Sequence, residues 1–371
     1  MTRQTYRFKG TMTAESSLNV TRPNETFPSP PGSPFGLSAT SGRLPRLGPL
    51  HESSPVMFPA SSIRGAIRRA ARNSVRRAII RQSGEKTPWS IDTHYMLTQG
   101  VDTSNKTKKT KNSEVVDGAM ALREANPFLS LFGRWGLASH LGIDNAIPHT
   151  KECVYAEHGA RTNDFVRDPE QTQFISVDDA KRLKQMIVED GEMSLTGADI
   201  DKQIKALKAE QRQVKDADDK AEIREQIKAL ETQKKDAKAQ KIGSQEPIQY
   251  PHPGFEAIIP GTTMSHRMLV RSADAYELGL TLAALREFAR QPYLGGHRAL
   301  GFGEVAFDWV VSYWPEDGDP VQAGRVQVGA DIFFISEESD DKSLSSALSQ
   351  WDEVMASTDM PFDFKRFLMV G

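Results

Sequence analysis

Serines and arginines at the start of a helix, and glycines mixed with basic side chains in a loop, are combinations that hold phosphate. This chain has both. Phe58-Pro-Ala-Ser-Ser-Ile-Arg-Gly-Ala-Ile-Arg68 reads as a turn that opens a helix. Ser61 or Ser62 can act as N-cap, and the free backbone N–H groups of the first turn suit an anion. From Ser61 to Arg81 the chain carries Arg64, Arg68, Arg69, Arg72, Arg76, Arg77 and Arg81 without one carboxylate. Far downstream, Gly295-Gly-His-Arg-Ala-Leu-Gly-Phe-Gly-Glu304 sets His297 and Arg298 among four glycines. Such a loop lets backbone approach a ligand closely and can present N–H groups to phosphates. Two phosphate-seeking elements in one chain suggest a protein built around a nucleic-acid backbone.

Other chemistries are less well served. His149, Cys153 and His158 have a spacing that hints at zinc, but a tetrahedral site needs four ligands and no clean fourth is visible. They read as surface or loop residues. No Walker, dinucleotide-binding or Ser/His/Asp pattern occurs, and the glycine loop lacks the Gly-Lys-Ser/Thr of a P-loop. No cofactor and no metal are expected.

The elements that position these residues can be read coarsely. With 371 residues, 38% hydrophobic and 26% charged, the chain is long enough for a large core. A single cysteine excludes a disulfide framework. The opening Met1-Thr-Arg-Gln-Thr has no apolar run and no later stretch is long enough to span a membrane, so no membrane contact and a cytoplasmic location are expected. The net charge of −2 hides an asymmetry: residues 313–371 hold 12 acidic and 4 basic residues, which leaves the rest of the chain positive.

Thr5 to Thr13 reads as a strand with Tyr6, Phe8 and Met12. Residues 21–57, rich in Pro, Gly and Ser, read as a long irregular excursion. In the helix that follows, Ile63, Ile67, Ala70, Ala71, Val75 and Ala78 share one face, and Arg64, Arg68, Arg72 and Arg76 form an i, i+4 stripe beside it. One face would pack on a sheet and the stripe would be free for phosphates, or would be a plain solvated surface. Residues 82–125 form a finger-like basic region, with Lys106, Lys108, Lys109 and Lys111 in a loop that is either solvated or a nucleic-acid finger. Asp199 to Lys241 keeps helical spacing at Ile200, Ile204 and Leu207 and again at Ile223, Ile227 and Leu230, with Gln-Ile-Lys-Ala-Leu repeated. Its charges are nearly balanced, so it reads as an exposed antiparallel helical hairpin inserted into a domain. Ala257 to Arg271, with the turn Pro260-Gly261, is strand-like; Tyr276 to Arg290 is an amphipathic helix; Glu304 to Val311 is a strand. This order fits an α+β sheet with helices on one face, as in ferredoxin-like folds.

Pro59-Ala-Ser-Ser-Ile-Arg-Gly-Ala-Ile-Arg68, followed much later by Tyr276-Glu-Leu-Gly-Leu-Thr-Leu-Ala-Ala-Leu-Arg286 and the Gly295–Gly303 loop, resembles the RAMP superfamily of CRISPR proteins. The resemblance implies an RRM-like (ferredoxin-like) core, one palm domain over residues 1–371. Its insertions would be the excursion, the finger-like region, a thumb at 161–255 carrying the hairpin 199–241, and an acidic segment at 313–371. The subgroup most similar is the backbone subunit of multi-subunit effector complexes, and the proline-rich excursion with the helical insertion favours the type IV variety. By this resemblance Ser61, Ser62, Arg64, Arg68 and Arg72 would grip a crRNA backbone. Gly295, Gly296, His297 and Arg298 would approach phosphate or ribose, and the Ser16–Val20 loop, with Ser16 and Asn19, would face the crRNA. Arg161, Asn163 and Phe165 would open the thumb, where Phe165 either splays a base or is an ordinary core or loop residue.

Some members cut target RNA with an Asp in the excursion before the Ser-Ser helix. Residues 16–57 contain no Asp, and Glu25, His51 and Glu52 are the only ionisable candidates. The reading is therefore a non-catalytic subunit. Its partners are crRNA, target nucleic acid (DNA ahead of RNA), further copies of itself head to tail and other CRISPR effector subunits. A RAMP-type RNA endonuclease and a scaffold sharing only the core remain the alternatives.

Overall fold

The computed structural model describes residues 3–20, 42–48, 54–83, 90–101, 103, 112–161, 170, 173, 175–213, 217–239, 250–315, 318–338, 341–357 and 361–364. It divides into two compact units, residues 1–157 with 255–371, and residues 158–254.

The first unit is organised by β1 (Gln4–Ala14). Tyr6, Phe8, Met12 and Ala14 are buried while Arg7, Lys9 and Thr11 point the other way, the period-two pattern of a strand with one covered face. It lies between β6 (Thr263–Ala273) and β7 (Val305–Tyr313), antiparallel to both, with Phe8 opposite Met268 and Val311. The sheet continues beyond β6 with β2 (Leu141–Ile143) and β3 (Ile147–Pro148), and beyond β7 with β8 (Val321–Gly329) and β9 (Ile332–Glu337). One helix follows β1, α1 (Ala60–Ser83), and another follows β6, α7 (Ala275–Phe288); the two pack against each other. Strand–helix–strand–strand–helix–strand with β1 in the middle is the ferredoxin-like plan, so the α+β class with an RRM-like core expected from the sequence is what the chain adopts. The edges of β1, α1, α7 and β7 lie one or two residues from those expected, while the strand expected from Ala257 starts at Thr263, after the Pro260-Gly261 turn, and Ala257 itself belongs to the preceding strand.

Two regions hold more structure than the sequence suggested. In the finger-like region, α2 (Ile91–Gln99) is capped by Ser90 and ends at Gly100. α3 (Asn112–Ala125) lies there too, and just beyond it comes α4 (Pro127–Phe132), with Asn126 as N-cap, Pro at its start and Gly133 at its end. The lysine loop at 104–111 lies outside the described residues. In the acidic C-terminal segment, β8 and β9 widen the sheet and α8 (Ser343–Ala356) packs on α7. Gly279 makes that contact possible: a Cβ there would lie 2.7 Å from the Cβ of Trp351 and against the carbonyl of Ala347.

β4 (Val154–Arg161) and β5 (Tyr250–Ile258) form a separate two-stranded sheet. The second unit is a helical hairpin of α5 (Val177–Gln213) and α6 (Ala217–Ala239), closed by Ile200, Ile204, Ile223 and Ile227 with Leu207 and Leu230. Lys234 reaches Asp201 at 2.6 Å and Lys208 reaches Glu231 at 3.5 Å, which fixes the antiparallel sense. The first helix starts 22 residues before the expected Asp199. That stretch holds Gly191 and Gly197 and leaves Val177 and Val188 exposed, so it carries no apolar stripe to read.

One buried group ties stability to pH. His266 on β6 sits among Phe307 and Trp309, and Trp309 Nε1 donates to its Nδ1 at 3.1 Å. The ring proton is therefore on Nε2, which has no partner among the described residues. Burial pushes the pKa down to about 4, against a smaller upward pull from Asp144. Unfolded, the ring takes its proton near the ordinary value of about 6.5. This contribution to stability is thus complete above pH 6.5 and is lost as the pH falls toward 4. Urea unfolding at pH 7 and pH 4.5 should show a loss of about 2–3 kcal/mol from this group. His266→Gln, which keeps an acceptor for Trp309 but does not titrate, should lose correspondingly less over the same interval.

Candidate nucleic-acid interface

The glycine loop and the Ser16–Val20 loop are brought together and lock into one another. Gly296 N–H donates to the Asn19 carbonyl at 2.9 Å, and Gly303 N–H to the Ser17 carbonyl at 2.9 Å. Glu304 N–H donates to Ser16 Oγ at 2.9 Å. Gly295 has φ +74, and a Cβ there would collide with the Asn19 carbonyl, so only glycine allows this approach. Asn19 is buried and its Nδ2 donates to the Glu256 carbonyl at 2.7 Å. His297 stacks on Phe255 with ring centroids 4.1 Å apart. Several of the loop's N–H groups are thus committed to holding it in shape. Its contribution to a ligand surface is the exposed short helical turn Arg298–Leu300, with Arg298 anchored by donation to the Tyr293 carbonyl at 2.8 Å.

Glu256, on β5, holds the described residues 42–48 of the excursion in place. Arg43 donates to its Oε1 at 2.7 Å, Arg46 to its Oε2 at 2.9 Å, and Leu44 N–H to Oε2 at 3.0 Å. Burial alone would raise the carboxyl pKa, but Arg46, the Leu44 N–H and Arg43 outweigh it and keep Glu256 below the usual carboxylate range. This buried Arg–Glu–Arg group braces the same corner that receives Asn19 and Phe255.

Helix α1 starts one residue earlier than the serines suggested. Ala60 N–H is capped by Asn145 Oδ1 at 2.8 Å, so Ser61 and Ser62 occupy the first turn instead of the cap. Ile63, Ile67, Ala70, Ala71 and Val75 are buried as the apolar face requires. The arginine stripe divides. Arg68, expected to grip a phosphate, is only 6% exposed. Its guanidinium donates to the Met96 carbonyl at 2.7 Å, to Leu97 at 2.8 Å, and to Phe132 and Gly133 at 3.2 Å each. It also lies over the rings of Phe128 and Phe132. These carbonyls belong to the C-terminal ends of α2 and α4, where a cation is favoured by the helix dipoles. Arg64 donates to the same Phe132 carbonyl at 2.5 Å but is only half-buried. The cause is the second flank of α1: it packs on α7 on one side and on α2 and α4 on the other, and the Arg64–Arg68 edge faces the latter.

The free cations lie one stripe over. Ser61, Gly65, Arg69 and Arg76 form the outward ridge of α1, and Arg69 makes no hydrogen bond or ion pair among the described residues. Gly65 is not demanded by packing, since the closest atom to a Cβ built there is Arg69 Nη1 at 3.4 Å. A helical glycine costs about 0.5–1 kcal/mol relative to alanine, and here it leaves the ridge bare between Ser61 and Arg69. Below the ridge is a cleft of about 370 Å³ lined by Arg69, Arg72, Arg77, Arg290, Tyr293 and Arg298. Arg77 and Arg290 share Glu287, which offsets part of their charge. Arg72 is bonded only to its neighbour Asn73, at 2.9 Å. Burial, then the nearby Arg298, pulls the Arg69 pKa down; burial, then Arg69 and Arg76, does the same to Arg72. Cations from α1 and from the glycine loop therefore crowd one cleft without a matching number of carboxylates, an arrangement that an anion relieves.

Of the expected site residues, the structure gathers Ser16, Asn19, Gly295, Gly296, His297, Arg298 and Arg72 into this region and leaves Ser61 and Ser62 at the start of the ridge. Arg68 is turned inward, and Arg64 faces the α4 side. Arg161 ends β4, while Asn163 and Phe165 lie outside the described residues. Arg69 belongs to the arginine run but lies off the Arg64–Arg68–Arg72–Arg76 stripe, so spacing alone does not distinguish it. No group of His, Cys, Asp and Glu among the described residues could hold a metal ion, and no helix there is long and apolar enough to cross a membrane.

No curated protein matches the chain. A family model does, over residues 51–306, from just before α1 to the first residues of β7; its description is RAMP superfamily.

Proposed function

Because the chain belongs to the RAMP superfamily, we propose that it is a non-catalytic crRNA-binding backbone subunit of a multi-subunit CRISPR effector complex, of the type IV kind. The observation that supports this reading is the cleft where unpaired Arg69 meets Arg72 and Arg298. Phosphates of a single strand would enter that cleft, and Gly65 would let the strand pass close to the helix backbone. Contacts of this sort read backbone and leave the bases to pair with a target, with DNA ahead of RNA as that target. Several copies would follow one another along the guide, each touching the next by the same heterologous surface and none closing a ring. The remaining effector subunits would join at the ends of that array.

Expression together with a cognate CRISPR array, followed by sequencing of the nucleic acid that co-purifies, tests the reading. Guide RNA of uniform length on a multimer is expected. Random cellular RNA, or none, overturns it. Incubated with precursor RNA, the purified protein should leave it intact, and cleavage would replace the holder with the endonuclease.

A further inference from the structure

Trp135 is 89% exposed, at the tip of a turn that leaves it no freedom to hide. The turn follows α4. Gly133, at φ +67, ends that helix, and a Cβ there would crowd Leu137 and Ser139. Arg134 N–H donates to the Leu137 carbonyl at 3.1 Å, and Leu137 N–H returns a bond to Arg134 at 2.9 Å. Gly136 supplies the positive φ at the tip, and Leu137 is buried directly after it. Trp135 N–H donates to the Gly100 carbonyl at 3.1 Å, tying the tip to the end of α2. Beneath it, Arg68 grips the carbonyls of Phe132 and Gly133. The backbone is held at Gly133, Arg134, Trp135 and Leu137 while the indole itself stands in solvent.

The surroundings of the indole are cationic. Arg134 Nε donates to the carbonyl of Trp135 itself at 3.1 Å, and Arg64 holds the carbonyl of Phe132 at 2.5 Å. Arg123 donates to the Ala138 carbonyl at 2.7 Å. The chain from Asn126 to Ile143 contains no carboxylate. Arg64 lies five residues before Arg69 on α1, about 7.5 Å along the helix axis, with Gly65 between them. A strand whose phosphates lie against Arg69 can therefore cross the bare ridge at Gly65 toward Arg64 and the turn.

We infer that Trp135 is a stacking post for an unpaired base of the bound strand, with Arg64 taking an adjoining phosphate. A flat, rigidly mounted aromatic loses little freedom on binding, and every base offers a face to it whatever the sequence. Surrounding positive charge favours a nucleic acid over an apolar protein partner. The inference rests on the proposed function, and the test separates the two.

Binding of a labelled single-stranded RNA and of an abasic strand of equal length is measured for the full chain and for Trp135→Ala and Trp135→Phe. The wild-type chain should prefer the RNA over the abasic strand. Trp135→Ala should weaken RNA binding about 10-fold, within the range for one base on one aromatic, and erase the preference. Trp135→Phe should restore most of it, and melting temperatures should be unchanged because the indole covers little of the core. RNA binding that is tight in the wild type and equal in Trp135→Ala overturns the inference and leaves the function standing. Equal RNA binding with lost association to another protein chain assigns Trp135 to a protein contact instead. No RNA binding by the wild type removes the function and this inference together.

Discussion

Replacing Arg69, Arg72 and Arg298 together by alanine should reduce affinity for single-stranded RNA about 1,000-fold near physiological salt without lowering the melting temperature. The estimate takes about 1.5 kcal/mol for each charged hydrogen bond to phosphate, the low end of the usual range. The salt dependence should change as well. Each phosphate contact on a single strand contributes a slope of about −0.7 in log affinity against log salt, so removing three should flatten the plot by about 2. Stability should hold, because Arg69 makes no bond within the described fold, Arg72 bonds only its neighbour, and Arg298 is exposed. Relief of their mutual repulsion would even favour the fold slightly. Filter binding over a salt series, with thermal melts of the same samples, checks both halves. An unchanged slope would mean that the cleft does not meet the strand.

Arg68→Ala should do the opposite. The side chain ties the ends of α2 and α4 to α1 through four carbonyls, and its loss leaves those acceptors buried with fewer donors. A cost of about 3 kcal/mol is expected, or a fall of about 6–12 °C in melting temperature for a unit of this size. Arg68→Lys should recover less than half of it, since an ammonium cannot span two helix ends as the planar guanidinium does. Any RNA binding that survives should keep the wild-type salt slope. Charge reversal at Arg64 and Arg68 together would therefore abolish assembly by unfolding the corner, whereas variants of Arg69, Arg72 and Arg298 report on the cleft without disturbing it.

The arginine pair shows where sequence reading reached and where it stopped. The apolar face of α1 and the alternation along β1, β6 and β7 are local properties, and local periodicity reveals them. Which side of the arginine stripe meets solvent depends on α2 and α4, two short helices whose only signals are caps: Ser90 and Gly100 for one, Asn126-Pro127 and Gly133 for the other. The lysine-rich stretch beside them has the composition of a loop. The glycine loop is legible as glycines set among basic side chains, but the Ser16–Val20 loop that absorbs the Gly296 and Gly303 N–H groups is joined to it only in three dimensions. Composition showed the acidic C-terminal segment as charge alone. Val326, Val328, Ala347 and Trp351, spaced for a strand and a helix within it, are what place β8, β9 and α8 on the core.

The central position of β1 has a consequence for synthesis. Both of its neighbours are made long after it, β6 about 260 and β7 about 300 residues later. At about 5–20 residues per second, β1 waits about 15–60 s with both backbone edges unpaired. Its alternating Tyr6, Phe8 and Met12 then form a template that another nascent chain could pair with. Yield in a cell should accordingly respond to elongation speed and to chaperones that cover early strands, more than to the stability of the finished sheet.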